Sequence, residues 1–155
     1  MNIVDARDSI VAEATASALR GGRYAAAGAA ETTARMDGLF AVLVESLAVN
    51  DVAPLARHAA RLAEDRFSGG YGLGEVQAAV NALEEALWRH VFATCPLEEL
   101  GDTLRTVSTA LGTTKDVLAQ EYVRLAVRSG TPSLDLSPLF AGTAAGFAAP
   151  TKEST

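Results

Sequence analysis

The chain has 155 residues, a formal net charge of −6 and no Lys/Arg cluster able to follow a phosphate backbone, which argues against nucleic-acid binding. Its length suits one domain with a real core. Aromatics are few at 6%, alanine is abundant and β-branched runs are short, so a helical bundle is expected rather than a sheet protein.

The first helix is expected from about Asn2 or Asp5 to Arg20, with Ile3, Ala6, Ile10 and Ala14 near one face and Val11 and Ala18 close to it. Asp5, Arg7 and Asp8 interrupt any secretory apolar region there. Gly21 and Gly22 stand where a helix end wants residues able to take positive φ. Arg23 to Gly28 read either as a connector or as an early start of the next helix.

The second helix spans roughly Ala30 to Val49. Met36, Leu39, Phe40, Leu43 and Leu47 form its main face, and Val42 and Val44 widen it enough to imply burial on more than one side. Glu45 and the short length of the run Leu39 to Val49 exclude a membrane span there. The chain is expected to be soluble and cytoplasmic. Asn50 and Asp51 end the helix, and Pro54 suits the first turn of the next.

A third helix, about Asp51 to Phe67, places Val52, Leu55, Ala56, Ala59, Leu62 and Ala63 inward. Arg57, Arg61, Glu64 and Asp65 face outward, with Arg61 spaced to pair with Asp65 or Glu64. A corner with Gly69, Gly70, Gly72 and Gly74 follows. It invites a phosphate-loop reading, but Glu75 occupies the third glycine position and a helix precedes it where a strand is required, so a turn is preferred.

The fourth helix, about Gly74 to Thr94, carries the stripe Val76, Ala79, Val80, Leu83, Leu87 and Val91, around which the bundle is organised. Trp88, Phe92 and Cys95 form a second apolar face away from that stripe, which implies either central burial or a partner surface. Pro96 starts the last helix. Leu97, Leu100, Leu104, Val107, Leu111, Thr114, Leu118, Glu121 and Leu125 alternate spacings of three and four in a heptad-like seam. Continuous to Arg128, that helix is about 48 Å long, against a radius of gyration of about 15 Å for so small a domain. It either breaks near Gly112 or overhangs the bundle; the constant phase of the seam favours continuity. Residues 130–155, with Pro132, Pro138 and Pro150, read as a mostly flexible tail or linker, and Leu134, Leu136, Leu139 and Phe140 offer anchors for its first part.

No catalytic constellation emerges. His58 reads as solvated; His90, at the edge of the Leu83 and Leu87 stripe, is the one weak candidate for a haem or metal ligand. No second histidine or cysteine lies three or four residues from either. Cys95 excludes an internal disulfide framework and reads as a small buried residue. Glu84 with Glu85, and Glu98 with Glu99, are adjacent, point apart on a helix and read as solvated. No nucleophile elbow and no E-x-x-H carboxylate pattern is present.

The run LFAVLVESLAVNDVAPLARHAARLAEDRFSGGYGLGEVQAAVNALEEALWRHV, followed by a helix ending KDVLAQEYVRLA, resembles the RsbRD-type N-terminal domain family of RsbT co-antagonist proteins. The likeness covers about residues 30 to 127 and is strongest at Ala63 to Phe67, Leu73 to Val76 and Asp116 to Tyr122. It implies an all-helical sensory or scaffold module of bacterial signalling proteins, commonly dimeric and similar in style to non-haem globin sensors. STAS domains, kinases or phosphatases are the usual downstream neighbours; none is present here, so the chain reads as a stand-alone homologue or an excised domain.

The expectation is therefore all-α: a compact bundle of about five helices over residues 1–129, with a long C-terminal helix and a tail. Its function is read as non-enzymatic stress-response signalling, without cofactor, as a homodimer that engages other signalling proteins. The expected interface is Trp88, Phe92, Leu111, Leu118 and Leu125. The alternative is a globin-like sensor holding haem or another small ligand in its core.

Overall fold

The computed structural model describes residues 3–130; the expected tail lies outside them. Among the described residues the protein is all-helical, with six helices: α1 (Arg7–Ala18), α2 (Gly22–Ala27), α3 (Ala29–Val49), α4 (Ala53–Ser68), α5 (Leu73–Thr94) and α6 (Leu97–Ser129). None is long and apolar enough to cross a membrane.

The additional helix is α2, the segment that sequence left open. Its six residues are set off by Gly22 at φ 66° and Gly28 at φ 89°. A side chain at Gly22 would be strained by that φ and would also run into the Glu75 carboxylate. Tyr24 is the buried residue of α2, and its carbonyl accepts from the Thr32 hydroxyl (3.3 Å).

The core follows the expected stripes. Val76, Leu83, Leu87 and Val91 of α5 are fully buried, and α1 and α6 both pack on this helix. Ile10, Val11 and Ala14 bring α1 down on α5 and α3. The α3 helix meets α1, α4 and α6, which explains its wide apolar surface, with Phe40 and Leu43 fully buried. Each large aliphatic or Phe side chain buried this way contributes roughly 1.5–3 kcal/mol. On α4, Leu55, Ala59 and Ala63 point inward as expected, whereas Val52 is exposed. The surface pairing on this helix also differs: Glu64 pairs with Arg124 of α6 (3.3 Å), and Asp65 with Arg66.

The last helix is unbroken through Gly112. Its 33 residues span about 50 Å. The buried positions are Val107, Ala110, Leu111, Thr114, Leu118, Tyr122 and Ala126. This stripe coincides with the expected seam as far as Leu118, then steps to Tyr122 where the seam has Glu121. A straight α-helix drifts about 20° per heptad, so a stripe that obeys 3.6 residues per turn slips by one position over this length. Glu121 is half-buried at the edge of this stripe and accepts from Arg124 Nε (2.8 Å).

Two members of the expected interface therefore belong to the chain's own core. Leu111 and Leu118 have no exposed surface, because α6 lies against α4, α5 and α3 along this part of its length. Leu125 is partly buried and packs against the same core. Those side chains have little or nothing to offer a partner.

Candidate functional site

The α5–α6 hairpin is tied along its seam by polar contacts. Gln77, Asn81, Glu84 and Trp88 recur at four, three and four residues on α5, which puts them on one face. Lys115 Nζ donates to Asn81 Oδ1 (3.0 Å) and Glu84 Oε2 (2.8 Å), and Gln77 Nε2 donates to the Lys115 carbonyl (3.1 Å). Trp88 Nε1 donates to Ser108 Oγ (3.2 Å). Glu84 is thus not the solvated acid expected from sequence; its side chain is 13% exposed and neutralised by Lys115. Glu85 does face solvent, paired with Arg89 (3.3 Å).

Beyond Val91 the hairpin leaves the body. Every residue from Phe92 to Thr106 is exposed or half-exposed, whereas Val91 before it and Val107 after it are buried. The α3–α4 turn and the Arg105 to Ala110 stretch of α6 line a groove of about 200 Å³, together with Ser46, Asn50 and Val52. The Trp88–Ser108 bond and the Cys95 Sγ to Thr103 Oγ1 contact (3.7 Å) set an antiparallel register that puts Phe92 level with about residue 105. Trp88 is 40% exposed, Phe92 60% and Leu97 83%. Leu100 and Leu104 are half-exposed and stand outside the core cluster. The overhang anticipated from the helix length is real, and an apolar surface runs along it.

The second concentration of chemistry is the glycine corner. Gly70, at φ 77°, makes the turn, and Glu75 reaches back from the first turn of α5. Its carboxylate accepts the Gly72 N–H (3.2 Å), half of a capping box, and the Arg23 N–H of α2 (2.9 Å). The residue that spoils the phosphate-loop pattern is therefore the cap of α5 and the anchor of α2.

Behind the corner, Tyr122 donates to the Tyr71 carbonyl (3.0 Å), and Arg35 Nη1 donates to the Tyr71 hydroxyl (2.7 Å). Tyr24 stacks edge-on to Tyr71 with centroids 5.0 Å apart, and Phe67 to Tyr122 at 5.6 Å. Burial pushes the Tyr122 and Tyr24 hydroxyls above the ordinary tyrosine range, the latter against the opposing pull of Arg66. Both hydroxyls remain protonated at neutral pH.

Sequence reasoning did not single out this cluster. The signal was present: Leu55, Ala59, Ala63 and Arg66 continue the inward stripe of α4 at spacings of four, four and three. His58, expected to be solvated, is half-buried. Desolvation first, then Arg61 and Arg66, lower its pKa. His90 is half-buried on α5, one turn before Thr94, whose hydroxyl donates to the His90 carbonyl (2.8 Å). Among the described residues no group of three His, Cys, Asp or Glu side chains is placed to hold a metal.

No family model, curated protein or solved structure matches this chain.

Proposed function

We propose that the chain is a non-enzymatic signalling module of the bacterial cytoplasm that works as a homodimer through the outer face of the α5–α6 hairpin. The observation that carries this reading is the hairpin itself. Phe92, Leu97, Leu100 and Leu104 lie along a projecting pair of helices that the chain's own core does not cover, beside the half-exposed Trp88. Contiguous apolar surface rimmed by charge is the signature of an interaction site. Here Arg89, Glu98, Glu99, Asp102 and Arg105 supply the rim. A two-fold axis across such a face uses each aromatic residue twice.

The ionisable groups support a structural role over a chemical one. Glu75 caps a helix, Glu84 is paired with Lys115, and Arg35 holds Glu31 and Tyr71. The resemblance to the RsbRD-type family adds the signalling and stress-response context and the expectation of further signalling partners.

The test is Trp88→Glu together with Phe92→Glu. Neither side chain belongs to the core, so circular dichroism should remain helical while light scattering reports a halved mass. A folded double variant with the wild-type mass refutes this interface.

A further inference from the structure

Arg57 and Arg61 on α4, and Glu98 and Glu99 on α6, are exposed and have no salt-bridge partner among the described residues. Sequence spacing offers Arg61 the carboxylates of Glu64 and Asp65, but Arg124 and Arg66 engage those. With Arg57 one turn earlier, α4 presents two bare guanidiniums on the face opposite its buried Leu55, Ala59 and Ala63. Glu98 and Glu99 stand in the first turn of α6, at the tip of the hairpin. The positive end of that helix favours them there, yet no cationic side chain meets either. Asp102 and Arg105 behind them differ, because they pair with each other (2.8 Å).

The two pairs cannot meet within one chain. The α4 helix runs parallel to α6, since Val52 shares a groove with Arg105 to Ala110 and Glu64 reaches Arg124. That register sets Arg57 and Arg61 level with about residues 114 to 120 of α6, roughly 25–30 Å along the bundle from Glu98 and Glu99. The middle of that span falls near Ser108, which accepts from Trp88 Nε1 (3.2 Å). An antiparallel two-fold at this level brings each glutamate pair level with the partner's arginine pair. It also leaves Trp88 and Phe92 near the centre of the contact with the charges at its rim, the ordinary anatomy of an interface. A parallel two-fold does the reverse: it gathers the unpaired glutamates of both tips and leaves both arginine pairs bare.

We propose that the second copy docks antiparallel, with Glu98 and Glu99 of each hairpin tip set against the partner's Arg57 and Arg61. This rests on the homodimer proposed above and adds its orientation and its charge code. The apolar surface of the hairpin supplies the central contact, and the two reciprocal charge contacts select the antiparallel arrangement over the parallel one.

The test is charge reversal followed by mixing. Arg57→Glu with Arg61→Glu, and separately Glu98→Arg with Glu99→Arg, should each keep a helical circular dichroism spectrum, because all four side chains are exposed. Either variant alone sets like charges against each other at both contacts. Its dimer dissociation constant in low salt should rise about tenfold or more. Mixed in equal amounts, the two variants carry opposite charges at both contacts, and light scattering should show the dimer mass return. The wild-type dissociation constant should itself rise with salt as the rim is screened, a reading that needs no variant. Variants that each dimerise as the wild type does, or a mixture that stays monomeric, overturn the proposal and leave the homodimer standing. A monomeric wild type overturns both.

Discussion

Replacing Leu111 or Leu118 by alanine tests whether α6 spends its seam on its own bundle. Both side chains are fully buried within the chain. Leu→Ala at such sites removes the transfer free energy of the lost carbons and leaves a cavity, costing about 2–5 kcal/mol each. The two residues are seven apart on one helix, so their Cα atoms are separated by about 10 Å and the losses should nearly add. Together they approach the whole stability of a typical domain, about 5–15 kcal/mol. The measurement is urea unfolding followed by circular dichroism, carried out on the Trp88→Glu, Phe92→Glu background so that association does not contribute. Each single variant should lower the midpoint with an unchanged m-value. Leu125→Ala, at a partly buried position, should lose less. If either fully buried leucine costs under about 1 kcal/mol, or if its loss fades as protein concentration rises, the side chain belongs to an interface and the packing described for α6 is wrong.

Three other outcomes are expected. Tyr122→Phe leaves the Tyr71 carbonyl without its buried donor and should cost about 1–3 kcal/mol in the same unfolding assay; a neutral substitution would mean that the hydroxyl does not hold the corner. The folded-state pKa of His58 lies below its unfolded value, so the unfolded chain binds the extra proton. Stability should therefore fall as pH drops below about 6.5, and His58→Gln should flatten that part of the curve. Haem added to the purified protein should give no Soret band dependent on His90; a band abolished by His90→Ala would bring back the sensor reading.

The parts of the fold legible in the sequence were those set by period alone. The stripe from Val76 to Val91 and the apolar faces of α1 and α3 are buried as their spacing required. The unbroken α6 was legible too, because a seam that keeps its phase through Gly112 has no reason to break there. What escaped were features fixed by long-range partners. Glu84 is shielded because Lys115 arrives from the next helix, and nothing near Glu84 in sequence announces it. Arg66 sits on an apolar stripe, yet its type argues for the surface, and its burial is made tolerable by Asp65 together with the rings of Tyr24 and Tyr71. Leu111 and Leu118 lie on a seam longer than the body, and length alone does not say which part of that seam is bare. In fact the body covers the helix from Val107 onward and leaves its first turns bare. On the second face of α5, Trp88 and Phe92 were placed off the core stripe by periodicity, and both are exposed.

The proposed dimer covers the bare hairpin with a second copy. Its most direct measurement is the wild-type mass by light scattering over a dilution series at micromolar concentrations. The expected value is twice the chain mass of 16.1 kDa, falling towards the single value only on strong dilution. A mass of 16.1 kDa throughout the series contradicts it.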